Sequence, residues 1–99
     1  MKTYELEFLE AALKEWKKLA PNIRNQFAKK LEERLRHPHV LSAQLSGMAD
    51  CYKIKLRAAG YRLVYQVEDD VMLVVVIAVG KRERSAVYKA AAGRISGRI

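Results

Sequence analysis

The sequence predicts an α+β fold: a small, mainly antiparallel four-stranded sheet with an N-terminal helical hairpin and a C-terminal helix, in the order β-α-α-β-β-β-α. Three observations lead there. Hydrophobic residues recur with a period of two over Tyr4–Phe8, switch to a helical period from about Glu10, and return to a period of two after Cys51. The run from Val71 to Val79 is continuously apolar and rich in β-branched residues, as befits a central strand covered on both faces. A chain of 99 residues supplies one modest core and not two, so residues 1–99 are expected to form a single domain.

Taken in order, Tyr4, Leu6 and Phe8 alternate with Glu5 and Glu7, which is a short half-buried strand. Ala12, Leu13, Trp16 and Leu19 then fall on one helical face with Lys14, Lys17 and Lys18 outside. Ala20-Pro21-Asn22 interrupts that helix, and Pro21 suits the first turn of the next. Ile23, Phe27, Leu31 and Leu35 recur every four residues, an amphipathic helix running to about Arg36; the two helices are expected to pair as a hairpin on one face of the sheet. His37-Pro38-His39 ends it, because the residue before proline is pushed out of helical geometry. Val40 to Ala49 reads as a loop. A strand at 51–57, a turn through Ala58-Ala59-Gly60 and a strand from Tyr61 to Val67 follow. Glu68-Asp69-Asp70 turns the chain into the apolar strand at 71–79, which Gly80 ends. Beyond Lys81 a C-terminal helix runs to about Ile95, with Val87, Ala91 and Ile95 on one side and a frayed tail, 96–99. The first strand has the buried run at 71–79 as its natural neighbour.

Composition narrows the class. Hydrophobic residues make up 51% of the chain and charged ones 30%, the balance of a globular protein rather than a disordered one. A formal charge of +8 is heavy for this size and favours acidic partners: nucleic acid, an acidic protein or an anionic membrane surface. The single cysteine, Cys51, excludes an internal disulfide and leaves no zinc cluster to build, so it reads as a reduced, partly buried thiol. Met1-Lys2-Thr3-Tyr4-Glu5 lacks the charged start and apolar run of a signal peptide, and Val71–Val79 is too short to span a bilayer. The expectation is a cytoplasmic protein with no membrane partner.

The most informative segment is Cys51–Tyr65. Tyr52, Ile54 and Leu56 alternate with Lys53, Lys55 and Arg57, so a strand here has one oily face and one face with three cations in a row. Like charges at that spacing repel one another, and a polyanion across the face removes the cost. If the oily faces of the two hairpin strands coincide, Arg62 joins Lys53, Lys55 and Arg57. Arg82, from Lys81-Arg82-Glu83-Arg84, and Tyr88 are placed to line the same cleft, a groove of fixed cations with a ring able to stack on a base. Taken alone, the alternation fits the solvated side of a half-exposed sheet about equally well. Tyr88 by itself is more often a packing residue, and His37 and His39, flanking a proline, read as surface residues.

Three separated stretches, Cys51–Arg57, Gly60–Val67 and Val79–Ser85 with Val87-Tyr88, resemble the RelE toxins of type II toxin–antitoxin pairs. The similarity extends to Ala12-Leu13-Lys14-Glu15-Trp16 and to the order of elements, so it spans nearly the whole chain. It departs at Gln44-Leu45-Ser46, where RelE proteins often carry a basic residue. The resemblance implies a ribosome-dependent mRNA endoribonuclease (an mRNA interferase) that cuts message in the ribosomal A site and inhibits translation. The ribose 2′-hydroxyl would attack the adjacent phosphate, leaving a 2′,3′-cyclic phosphate and a 5′-hydroxyl. It places the catalytic positions on Lys53, Lys55, Arg62, Arg82 and Tyr88, with Arg57, Lys81 and Arg84 as further RNA-binding cations. Lys29, Lys30, Arg34 and Arg36 become candidates for ribosomal RNA phosphates, although such residues usually form only a solvated helix face.

A cut of this kind made without metal or cofactor, as the family implies, needs a base for the 2′-hydroxyl, neutralisation at the phosphate and a proton for the leaving oxygen. Lysine and tyrosine both titrate near ten, and crowding Lys53 and Lys55 with Arg57 and Arg62 lowers a lysine pKa, which favours lysine as base. Arginine stays protonated, so Arg62 suits transition-state charge and Arg82 the leaving oxygen, as acid or as electrostatic donor. Tyr88 is assigned stacking first and proton transfer second. The resemblance further implies a RelB-like antitoxin as partner, ribosome and mRNA as targets, and operator DNA reached only through the antitoxin. Two alternatives stand beside it: a ParE-like inhibitor of DNA gyrase, and a non-catalytic RNA- or ribosome-binding module.

Overall fold

The computed structural model describes residues 3–83 and 85–96. β1 (Glu5–Phe8) leads into α1 (Glu10–Lys17) and α2 (Pro21–Arg36), followed by β2 (Cys51–Leu56), β3 (Tyr61–Glu68), β4 (Leu73–Lys81) and α3 (Ala86–Ser96). The sheet order is β1-β4-β3-β2. β2, β3 and β4 are antiparallel neighbours, and β1 lies parallel to β4, as a crossover through two helices requires. The expected α+β architecture and the pairing of the first strand with the buried run both stand.

Helices cover both faces of the sheet. α1, α2 and the link between them lay Ala12, Leu19, Ile23, Phe27 and Leu31 on the face carrying Ile54, Leu63, Tyr65, Val74 and Val76. Trp16 sits between Phe8 and Phe27, with ring centroids 5.3 and 6.3 Å away, and closes the layer at the α1 end. α3 sets Val87 and Ala91 on the opposite face, over Cys51, Val64, Val75 and Ile77. Cys51 is fully buried there.

β4 changes face midway. Val64 pairs with Ala78 but Tyr65 pairs with Val76, so Ile77 is an extra residue, a β-bulge. Ile77 and Ala78 both pack under α3, whereas Val76 and Val79 face α1 and α2. Beyond the bulge Gly80 faces α3, where a Cβ would lie 3.5 Å from Val87 Cγ2.

Several boundaries differ from expectation. Val71 does not open β4: Asp69–Val71 form one turn of 3-10 helix, Met72 takes a left-handed conformation (φ 53°), and Val71 is 60% exposed. At the other end Gly80 lies inside the strand rather than ending it. β2 stops at Leu56, which puts Arg57 in the turn, and α3 begins only at Ala86. The loop at 40–49 contains a 3-10 turn, Leu41–Ala43, and a bridge between Gln44 and Tyr52. Leu6, on the edge strand β1, is 37% exposed, and Leu13, expected on the buried face of α1, is 36% exposed. Ser96 closes α3, and the rest of the tail, 97–99, lies outside the described residues.

The segment after α2 is held by polar side chains. Arg34 donates to the Tyr65 hydroxyl at 2.8 Å and the Lys53 carbonyl at 3.2 Å, and Tyr65 donates to the Pro38 carbonyl at 2.8 Å. His39 joins the Tyr52 hydroxyl (2.8 Å) to Asp69 (2.9 Å), and Tyr4 donates to the same Asp69 oxygen at 2.6 Å. The Tyr4 hydroxyl and then His39 hold the Asp69 carboxyl below its usual range. His39 is therefore a strut between loop and turn, more than a bare surface residue. No helix among the described residues is long and apolar enough to cross a membrane.

Candidate active site

The site forms where β2 and β4 end and β3 begins, beside the start of α3. Lys55 pairs directly across the sheet with Arg62, and Arg62 with Gly80. Cross-strand partners stand with Cβ atoms about 5 Å apart, so the ammonium and guanidinium share one patch of surface. Their strands could not diverge here. The turn between them is fixed by Gly60 at φ +74°, a left-handed conformation that a side chain disfavours. The Gly60 carbonyl accepts the Arg82 backbone N–H at 2.7 Å, which ties the segment after β4 to the β2–β3 turn.

That segment then reverses into α3. Ser85 has φ +60°, and the Ala86 N–H donates to the Glu83 carbonyl at 2.7 Å. The reversal brings Tyr88, one turn into the helix, over the strand ends. Lys55, Arg62, Lys81, Arg82, Glu83 and Tyr88 line one cavity of about 340 Å³. Val87 forms part of its floor, and Tyr88 is half-buried with its ring against the α3 core. Packing and exposure to the cavity are combined in one residue.

The electrostatics follow from the crowding. Lys53 precedes Lys55 by two residues on the same face, about 7 Å along the strand. Lys53 is the largest cause of a lowered Lys55 pKa, followed by desolvation, Arg62, Arg57 and Arg82. Each of these cations makes a proton harder to hold on Lys55, so its neutral amine is more accessible than that of an ordinary lysine.

The expected residues fare unequally. Lys55, Arg62, Arg82 and Tyr88 come together in the cavity, with Lys81 at its wall. Lys53 acts on Lys55 from beside the cavity rather than lining it. Arg57, moved into the turn, still bears on Lys55. Arg84 lies outside the described residues. Among the α2 cations, Lys29, Lys30 and Arg36 are exposed. Arg34 is not a free surface cation: its guanidinium is tied to Tyr65 and the Lys53 carbonyl, 5.6 Å over the Tyr65 ring. Glu83, a carboxylate in the cavity wall, was given no role by sequence reasoning; the only signal was an acid set between Arg82 and Arg84.

Comparison with known proteins bears on this geometry. The family model described as the ParE toxin of type II toxin–antitoxin system, parDE, matches residues 6–86. The mRNA interferase toxin RelE of Escherichia coli K12 is 59% identical over 92 residues, covering 93% of this chain and 97% of that one. A structure of an arginine double mutant of E. coli toxin RelE in the free state superposes with a TM-score of 0.88 at 55% identity, covering 95% of this chain and 99% of that one. The same toxin in complex with a peptide of the antitoxin RelB gives 0.80 at 56% identity, over 91% and 95% of the two chains.

Proposed function

The chain belongs to the RelE/ParE family of type II toxin–antitoxin toxins, and from that membership we propose that it is an mRNA interferase of the RelE kind, cutting message in the ribosomal A site. The observation that carries the reading is the convergence of Lys55, Arg62, Arg82 and Tyr88 on one cavity, with Lys55 held below its ordinary pKa by the cations around it.

In this reading Lys55 accepts the proton of the ribose 2′-hydroxyl, and Lys53 keeps it able to do so. The freed oxygen attacks the adjacent phosphorus, the bond to the 5′ oxygen breaks, and a 2′,3′-cyclic phosphate remains. Arg62 neutralises charge that grows on the non-bridging oxygens, because a guanidinium keeps its proton throughout. Arg82, in the wall of the same cavity, stabilises the leaving 5′ oxygen as a fixed positive charge while that oxygen takes a proton from water to become the 5′-hydroxyl. Tyr88 stacks on the base next to the cut and holds the ribose in line. Arg57 and Lys81 hold the flanking phosphates. Arg84 is assigned the same duty, and Lys29, Lys30 and Arg36 that of meeting ribosomal RNA.

The partner in this proposal is a RelB-like antitoxin that covers the basic cavity, with operator DNA contacted by the antitoxin and the cytoplasm as the place of action. E. coli RelE, the relative compared above, is seen with such an antitoxin peptide. The family description names ParE, so gyrase inhibition is the reading to set against this one; the basic cavity favours RNA.

Alanine at Lys55 or Arg82 is expected to lower the cleavage rate on programmed ribosomes by about 10²–10⁴-fold while ribosome binding stays detectable. Full activity in either variant overturns the assignment. Gyrase inhibition, or RNA bound and left intact by the wild-type chain, would instead point to one of the other two classes.

A further inference from the structure

The side-chain cluster that the proposed reaction leaves unused is the ion pair between α1 and α3. Arg94 grips the Glu15 carboxylate with both terminal guanidinium nitrogens, Nη1 to Oε1 at 2.8 Å and Nη2 to Oε2 at 3.1 Å. Nη1 also donates to the Ile77 carbonyl at 2.8 Å, and Glu15 Oε1 accepts the Val79 backbone N–H at 3.2 Å. These two backbone groups lie just past the end of the β1–β4 register, whose last pair is Phe8 with Val76. One bidentate pair thus stands in for the missing strand partner and joins α1, β4 and α3.

Among the described residues α3 buries little apolar surface toward its far end. Its buried contacts come from Val87 and Ala91, with Ile95, Tyr88 and Ala90 only partly buried. An alanine buries little apolar area. Gly93 lies inside the helix with open space where a Cβ would be, so it lowers helix propensity without serving a close approach. The near end is anchored through the Glu83 carbonyl and the Arg82–Gly60 bond. Tyr88 sits between that anchor and Arg94, about 9 Å along a short helix from the ion pair. A helix pinned at both ends fixes the ring; one pinned only at its start lets it swing.

We propose that Glu15 and Arg94 are positioning residues for Tyr88, seating α3 against the β4 edge so that the ring stands in the RNA cavity. Neither touches the cavity lined by Tyr88, Lys55, Arg62 and Arg82. The inference rests on the reading of Tyr88 as the base-stacking residue.

The test compares Arg94→Met, Arg94→Lys and Glu15→Gln in wild-type and Tyr88→Ala backgrounds, by single-turnover cleavage on programmed ribosomes. In the wild-type background Arg94→Met is expected to slow the saturated rate about tenfold to a hundredfold, with the half-saturating ribosome concentration nearly unchanged. Arg94→Lys keeps the charge without the fork and recovers part of the loss. In the Tyr88→Ala background Arg94→Met should cost less than about twofold, since the ring it positions is gone. An equal loss in both backgrounds would overturn the proposal, as would a wild-type rate in Arg94→Met. Exchange of the α3 amides and the NMR shifts of the Tyr88 ring are read in parallel on the isolated chain. A wild-type chain that cuts no RNA defeats the functional reading alone; unchanged exchange and shifts in Arg94→Met and Glu15→Gln then defeat the positioning role. If Arg94→Met fails to fold, Glu15→Gln, which keeps the shape but removes the charge and one of the two oxygens that accept from Arg94, decides the same question.

Discussion

Lys55 shows how a residue acquires chemistry from its neighbours. An isolated lysine near 10.5 is a poor base at neutral pH; here Lys53, desolvation, Arg62, Arg57 and Arg82 all push the value down. A lowered pKa puts more neutral amine in place at a given pH, so a rate limited by that base climbs with pH and levels off earlier. Removing the largest cause reverses this. Lys53→Ala should therefore slow cleavage and also move the rising limb of the pH–rate profile to higher pH, toward the ordinary lysine value. A limb that stays in place in that variant would dissociate Lys55 from the base role. The alternation of Lys53 and Lys55 with Tyr52, Ile54 and Leu56 made this crowding legible before any coordinates. Arg34 was not legible in the same way. A cation on an amphipathic helix looks alike in sequence whether it faces water or reaches a tyrosine two elements away, as Arg34 on α2 does with Tyr65 on β3.

At the scale of elements, the turn between β2 and β3 and the bulge in β4 decide whether the cations meet. The Ala58-Ala59-Gly60 turn was readable because Gly60 supplies the positive φ that the tight reversal needs. Its carbonyl also receives the Arg82 N–H. Gly60→Ala should then destabilise the fold by about 1–2 kcal/mol, read from denaturant melting, and reduce cleavage because Arg82 loses its anchor. A variant as stable and active as the parent would show that the turn does not set the site. The bulge was invisible: a run of nine apolar residues looks alike on both faces, so nothing in Val71–Val79 marks where the parity changes. The same uniformity hid the true start of β4, since Val71 is as apolar as its neighbours yet stands exposed in a 3-10 turn. Phe27, by contrast, is fully buried, as its four-residue spacing implied, and Phe27→Ala should cost about 3–5 kcal/mol in the same melting experiment. A loss under 1 kcal/mol would mean that α2 is not seated on the sheet as described.

Across the whole molecule, a +8 chain that concentrates Lys55, Arg57, Arg62, Lys81 and Arg82 at one end of its sheet should bind RNA with a strong dependence on salt. If about five phosphates are neutralised, the logarithm of the affinity should fall with the logarithm of salt at a slope near −3.5, and Arg82→Ala should reduce that slope by about 0.7. A slope near zero would remove the electrostatic basis of the interface. The overall topology was readable because each part agreed: a strand, two helices, three strands and a helix leave few ways to bury one core in a chain this short. The central claim, that this cavity cuts message only when a ribosome presents it, is tested most directly by mapping the ends of a translated mRNA after adding the purified chain. The account predicts cuts confined to codons in an occupied A site, with 2′,3′-cyclic phosphate and 5′-hydroxyl ends, absent without ribosomes and absent for Lys55→Ala. An intact message on wild-type treatment, or the same cuts with Lys55→Ala, would contradict it.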